Sequence, residues 1–196
     1  MQERRSNPDR TRDTRAALVA AARALFLEKG FAATGTPEIA ESAGMTRGAL
    51  YHHYRDKQDI LRAVIESEAA AIAAEIEAGA TDALTPLDAL LAGARSYFRA
   101  MQAPGRTRLM LLEGPAVLGS AEMRRIDLET GGQSLRQGLE AATGPGLAAP
   151  DLDARADLLS AMFDRAALAI EAGGDAEIYE ETLAGLLSAL VRKPLP

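Results

Sequence analysis

Apolar residues recur at three- and four-residue intervals through most of this 196-residue chain, which predicts helices along its length. Ala and Leu dominate and runs of β-branched residues are few, so we expect an all-α fold of about nine helices. The first helix is predicted from its cap, Thr11, to Lys29, with Gly30 ending it. Its inward stripe is Leu18, Ala22, Leu25 and Phe26.

Two short helices joined by a turn are predicted next. Thr36 suits the cap position of the first of them, and Pro37 suits its first turn because its missing N–H would be unpaired there. Gly44 permits the left-handed backbone that ends this helix, and Thr46 can cap a second helix over Arg47–Tyr54. In that helix Leu50 points inward, whereas Arg47, Tyr51 and His52 can face solvent. The arrangement is typical of a helix-turn-helix whose second helix reads DNA.

The next helix starts at Lys57 with no linker and continues to about Gly79, so it can carry motion into the helix-turn-helix. Further helices are expected over 85–103, 106–113, 120–143, about 151–173 and 176–192. The last two are apolar over more of their circumference than a one-sided helix needs. They therefore predict a homodimer interface, and the alternative is burial within one subunit.

Charge divides the chain unevenly. Residues 1–62 hold 11 Lys and Arg against 8 Asp and Glu, a net charge of +3. Because the whole chain has a net charge of −6, the remaining residues carry a net charge of −9. A basic head on an acidic body fits a nucleic-acid-binding module joined to a part that does not contact nucleic acid, although a head of +3 alone would not decide it. Arg4, Arg5 and Arg10, in a charged arm over residues 1–10, could contact DNA, and the alternative is a solvated tail.

Several function classes are excluded or disfavoured. The chain has no cysteine, which excludes disulfides, thiolate metal sites and a thiol nucleophile. An enzyme is disfavoured because we find no spaced metal-ligand set and no phosphate-binding glycine loop, and no cofactor is expected. The adjacent His52 and His53 point about 100° apart on a helix and are not a metal pair. With no signal peptide and no apolar run near the roughly 20 residues that a membrane span needs, a soluble cytoplasmic protein is expected.

The helix-turn-helix region resembles the DNA-binding domain of the TetR family of transcriptional regulators. The resemblance lies in three runs: Ala-Leu-Phe-Leu-Glu-Lys-Gly-Phe ending the first helix, Glu-Ile-Ala-Glu-Ser-Ala-Gly-Met-Thr-Arg-Gly-Ala-Leu-Tyr-His-His-Tyr, and the acidic-Lys pair at Asp56-Lys57. It covers residues 11–62, and the rest resembles the family's helical ligand and dimerisation domain more loosely. The charged, proline-containing residues 1–10 are expected to form a flexible arm. The resemblance implies a DNA-binding domain over 11–56 and an effector-binding and dimerisation domain over 57–196.

The resemblance also implies a repressor that binds a palindromic double-stranded DNA operator as a homodimer and is released by a small apolar or amphipathic effector. Arg47 is the candidate for reading guanine, and small residues let the helix approach the groove. The full set of DNA-binding candidates is Thr36, Thr46, Arg47, Gly48, Ala49, Tyr51, His52, Tyr54 and Lys57. Tyr54 has the alternative of a core residue. Pro37 departs from the family, which often has a polar or basic side chain there, so readout through the preceding helix should be weaker.

Large, adaptable apolar residues of the body are candidates for lining an effector cavity, although most of them should be ordinary core. They are Tyr97, Phe98, Met101, Met110, Met123, Met162 and Phe163. Arg108, Arg124 or Arg165 could bind an acidic group of the effector, and surface ion pairs are the alternative. A second functional hypothesis is a DNA-binding regulator or architectural protein without an effector, controlled by a protein partner. The absence of a cavity in the body would favour it.

Overall fold

The structure, a computed structural model, describes residues 7–144 and 148–192, and the side chains of 10–144 and 148–191. Throughout this described part the regular structure is helical. The helices are α1 (Asn7–Ala33), α2 (Thr36–Ser42), α3 (Arg47–His53), α4 (Lys57–Ala80), α5 (Pro86–Met101), α6 (Arg106–Arg108), α7 (Gly114–Leu118), α8 (Ser120–Leu128), α9 (Gly131–Thr143), α10 (Ala149–Glu171) and α11 (Ala176–Arg192). A π-helical segment, Leu109–Glu113, joins α6 to α7.

The first helix is longer than predicted. It begins at Asn7 instead of Thr11, so residues 7–10 of the expected arm are helical, whereas Arg4 and Arg5 lie outside the described residues. Gly30 interrupts it as expected, because its φ of 81° and ψ of 162° are not helical. Such a backbone is accessible mainly to glycine.

The helix-turn-helix forms close to its predicted positions. Gly44 has a φ of 66°, and the Thr46 side chain accepts a hydrogen bond from the Ala49 N–H at 3.2 Å, which caps α3. The predicted cap of α2 was wrong: Gly35 occupies that position and Thr36 is the first helical residue. The Thr36 hydroxyl is therefore available for a different partner.

The middle of the body is more broken than the periodicity predicted. A single helix was expected over 120–143, but the chain ends α8 at Leu128 and restarts α9 at Gly131. The 106–113 helix is replaced by the short α6 and the wider π-helical turn. These breaks explain why the chain forms more helices than predicted.

Two buried clusters hold the molecule together. The first joins the helix-turn-helix, where Leu18, Phe26 and Leu50 are fully buried, to α4, and it continues into the body as far as Met110 and Ile126. The second lies in the body between α5, α9, α10 and α11. The helix α4 contributes to the first cluster along most of its length, so the head and the body share one continuous core.

Apolar side chains also remain at the surface of α10 and α11. They are Leu158, Met162, Ile178 and Leu186, which are 38–66% exposed in the single chain. Within the described residues, no helix is both long enough and apolar enough to cross a membrane.

Candidate nucleic-acid interface and effector cavity

The exposed side of α3 and the start of α2 form one polar surface, which we call the reading surface: Thr36, Thr46, Arg47, Tyr51 and His52. The hydroxyl groups of Thr36 and Tyr51 lie 2.8 Å apart and share a hydrogen bond. This bond, and the positive charge of the nearby Arg47, lower the pKa of the exposed Tyr51 hydroxyl. Arg47 therefore lies close to Tyr51.

Small residues surround the reading surface. A Cβ added at Gly48 would meet only the Thr46 Oγ1, at 3.9 Å, so the surface is open there. Ala49 is half-buried and His52 is exposed. The structure therefore places Thr36, Thr46, Arg47, Gly48, Ala49, Tyr51 and His52 near one another, and their contact with DNA stays a prediction.

Two further DNA-binding candidates are placed differently. Tyr54 is only 3% exposed, and the Arg15 guanidinium lies 4.7 Å from the centre of its ring. Burial raises the pKa of its hydroxyl. The alternative interpretation of Tyr54 as a core residue is therefore the one that its position supports.

Lys57 is already engaged with protein groups. Its Nζ donates to the carbonyl oxygens of Phe31 at 2.7 Å, Thr34 at 2.8 Å and Ala32 at 3.3 Å, and lies 4.2 Å from the centre of the Phe31 ring. An ammonium has three N–H donors. Lys57 therefore fastens the end of α1 to the start of α4, a role that sequence reasoning did not find.

The body contains a cavity of about 680 Å³ bounded by α4, α5, the π-helical segment and α7–α10. Five of the predicted lining residues lie on its wall: Tyr97, Met101, Met110, Met123 and Phe163. Phe98 and Met162 do not line it. Phe98 is 3% exposed and packs in the body cluster, and Met162 faces the exterior of α10.

The polar groups of this wall were missed from the sequence. Asp127 and Asp164 both line the cavity, and each accepts a hydrogen bond from a neutral hydroxyl: Ser160 at 3.1 Å and Tyr97 at 2.9 Å. Burial is the main cause that raises the pKa of both carboxyl groups, and that of Asp164 reaches about 6. The residues three and four positions from Asp127 and Asp164 are partly polar and partly apolar. Helical periodicity therefore did not indicate that these two side chains face inward.

The three arginines considered as effector ligands have separate placements. Arg124 lines the cavity but pairs with Asp157 at 2.9 Å. Arg108 donates to the carbonyl oxygens of Phe26 and Leu27 on α1, at 2.8 and 2.7 Å. Arg165 is exposed on α10.

Comparison with known proteins assigns the chain to a family. The family model for bacterial regulatory proteins of the tetR family matches residues 18–64, and that for the tetracyclin repressor-like C-terminal domain matches residues 87–193. The chain belongs to the TetR family of transcriptional regulators. Members of this family are DNA-binding regulators, not enzymes.

Relatives of this TetR-family regulator match over different lengths. The transposon Tn10 TetC protein of Escherichia coli is 30% identical over 129 residues, which is 66% of this chain and 65% of TetC. The transcriptional repressor BepR of Brucella suis is 47% identical over 53 residues, 27% of this chain and 25% of BepR. The chain thus spans just under two thirds of TetC and a quarter of BepR.

A solved structure matches almost the whole chain. A TetR-family transcriptional regulator from Pectobacterium atrosepticum is 29% identical, has a TM-score of 0.69, and the match covers 96% of both chains. Both the helix-turn-helix and the helical body therefore follow the architecture of this family.

Proposed function

We propose that this protein is a cytoplasmic, ligand-responsive repressor that binds a palindromic operator as a homodimer and is released by a small apolar or amphipathic molecule. In this proposal residues 11–56 bind DNA and residues 57–196 bind the effector and the second subunit. The cavity disfavours the alternative of a regulator without an effector, because that alternative predicts a body without one.

The observation that carries the proposal is the π-helical segment between cavity and head. Met110 and Leu111 of this segment line the cavity. At the end of this segment, Glu113 accepts a hydrogen bond from the Phe31 N–H at 3.2 Å. Arg108, which directly precedes the segment, donates hydrogen bonds to two carbonyl oxygens of α1. We therefore expect that a molecule in the cavity that displaces Met110 also displaces the contacts of Glu113 and Arg108 with α1.

DNA recognition in this proposal depends on α3. Arg47 is exposed in the first turn of α3, so its guanidinium can reach a guanine edge in the major groove. The Thr46 hydroxyl accepts from Ala49 and keeps its own hydrogen free to donate to a phosphate. Pro37 adds no side-chain donor from α2.

Dimerisation is proposed through α10 and α11. Leu158, Met162, Ile178 and Leu186 leave apolar surface exposed on adjacent helices, which a second copy can cover by forming a four-helix interface. Release then follows from differential affinity: a ligand that fits one spacing of the two heads shifts the dimer toward that spacing.

The proposal is tested in two steps. A thermal-shift screen of the purified protein against apolar and amphipathic molecules should give ligands that raise its melting temperature. Fluorescence anisotropy with DNA selected by the protein from random duplexes should then show that these ligands lower DNA affinity. Tight DNA binding that no stabilising ligand changes would contradict the ligand-responsive part of the proposal.

The transmission route has its own test. Arg108→Met keeps the packing of the side chain but removes its donors to α1, so ligand binding should persist while its effect on DNA affinity falls. Arg165→Met, at an exposed position on α10, is the matched control. Equal ligand effects in the two variants would show that the signal does not pass through Arg108.

A further inference from the structure

The cavity of this protein has a strongly uneven charge. Among the described residues of its wall, four are carboxylates: Glu77, Asp127, Asp157 and Asp164. The single basic residue of that set is Arg124, and the 2.9 Å ion pair with Asp157 already uses it. Glu77 and Asp157 are exposed, whereas Asp127 and Asp164 are half-buried, so the uncompensated negative charge of the wall lies at Asp127 and Asp164.

Asp127 and Asp164 have no cationic side chain as an ion-pair partner within the described structure. The groups facing Asp164 are the Tyr97 hydroxyl on α5 and the Asp127 carboxylate on α8. Asp127 faces the Ser160 hydroxyl, the Gly132 N–H at the start of α9, Asp157 and Arg124. Only Arg124 among these groups is positive. A buried carboxylate without a cation is costly, and a ligand that supplies the positive charge removes that cost.

The rest of the wall suits an apolar body. Ile72, Ile76, Leu135 and Met123 border the cavity, and the rings of Tyr97 and Phe163 meet edge-on with centroids 5.4 Å apart. Aromatic rings beside carboxylates attract organic cations through their negative faces. A volume of about 680 Å³ is within the range of sites for drug-sized molecules.

We propose that the effector is a lipophilic cation, an organic amine or a quaternary ammonium or phosphonium ion, whose charge lies beside Asp127 and Asp164 and whose apolar part lies against the aromatic rings. This inference rests on the proposed role of the cavity as the effector site. It restricts the proposed effector from any small apolar or amphipathic molecule to one that carries a positive charge.

The test uses two probes of the same size and opposite charge, tetraphenylphosphonium and tetraphenylborate, titrated calorimetrically into the full-length protein at pH 7.5. The phosphonium should bind and the borate should not. Asp164→Asn should weaken phosphonium binding by about tenfold and the Asp127→Asn, Asp164→Asn double variant should weaken it further. Glu171→Gln removes one exposed carboxylate from the same helix, away from the cavity, and should leave binding unchanged.

The pH dependence of phosphonium affinity provides a second measurement. The affinity should not change with pH near the pKa of Asp164 if this residue has only a structural role. Because the pKa of Asp164 is about 6, phosphonium affinity should fall as the pH is lowered through that value. Absent phosphonium binding, equal binding of both probes, or equal loss in Glu171→Gln and Asp164→Asn would overturn the cation assignment.

DNA binding separates this inference from the function on which it rests. If neutral or anionic molecules bind and release DNA while the phosphonium does not bind, the cation inference fails and the ligand-responsive function stands. If the phosphonium binds through Asp164 but neither it nor any other stabilising ligand changes DNA affinity, the cation site stands and the ligand-responsive function fails.

Discussion

The head and the body of this protein are both built from helices with apolar faces, but these helices pack differently in the two parts. In the head, the side chains of α1–α3 and the start of α4 close on one another, and Leu18, Phe26, Ile39 and Leu50 are fully buried. In the body, helices of comparable composition leave a cavity of about 680 Å³ inside and apolar side chains on the outer face of α10 and α11.

The polar groups differ in the same way. The head presents Arg47, Tyr51 and Thr36 outward, where water can solvate them. The body turns Asp127 and Asp164 toward its interior, where their charge is unfavourable. The head thus packs its apolar side chains against one another, whereas the body leaves a cavity, exposed apolar side chains and two half-buried carboxylates without a cationic ion-pair partner among the described residues.

The largest effect should come from a matched pair of leucine truncations. Leu50→Ala removes a fully buried side chain from the head and should cost about 2–5 kcal/mol of unfolding free energy. Leu135→Ala enlarges a cavity that already exists and should cost about 1–2 kcal/mol. Chemical denaturation of both variants measures the difference, and equal losses would contradict the contrast between a closed and an open core.

The next effect concerns the reading surface. Arg47→Ala should lose about 1–3 kcal/mol of discrimination between the operator and DNA altered at one guanine. Arg95→Ala, an exposed arginine on α5, is the control and should not change it. Anisotropy titrations with both duplexes measure this, and a uniform loss on all sequences would show that Arg47 contacts the backbone only.

The ionised carboxylate of Asp164 should lower the free energy of unfolding of the protein. Its pKa of about 6 in the fold lies above the ordinary 3.8, so the folded state binds the proton more tightly and the ionised form is disfavoured. The cost is therefore complete above about pH 6 and vanishes below about pH 4. Asp164→Asn should stabilise the protein by about 2 kcal/mol at pH 8 and not at pH 4, as measured by urea unfolding. A gain independent of pH would contradict this assignment.

The smallest effect distinguishes two roles of Lys57. If it fastens α1 to α4, Lys57→Ala should cost about 1 kcal/mol of stability by leaving carbonyls without their donor, while the salt dependence of DNA binding stays the same. If it also contacts phosphate, the variant should in addition bind DNA with a flatter salt dependence. Thermal unfolding and anisotropy at several salt concentrations separate the two.

Much of the head could be predicted from short stretches of sequence. Gly30 and Gly44 carry the positive φ values expected at the two predicted helix ends, and Thr46 caps α3 as predicted. The capping residue of α2 was predicted one position late, since a threonine before a proline is also compatible with the first helical turn. These features depend on neighbours in the chain, so local chemistry determines them.

The body shows where such reasoning ends. Helical periodicity identified apolar faces but did not separate Phe98 and Met162, which do not line the cavity, from Tyr97 and Phe163, which do. Breaks such as the π-helical turn and the α8–α9 junction were likewise invisible in the pattern.

The amino-acid sequence by itself determined the all-α class, the helix-turn-helix and the family, because helix periodicity, caps and glycine turns act over a few residues. The tertiary structure alone decided that Asp127 and Asp164 meet inside the cavity, that Lys57 fastens α1, and that Met110 shares a segment with contacts on α1. These juxtapositions join residues 26 to 82 positions apart in the chain or on separate helices. Their geometry follows from how whole helices pack, which no local pattern encodes.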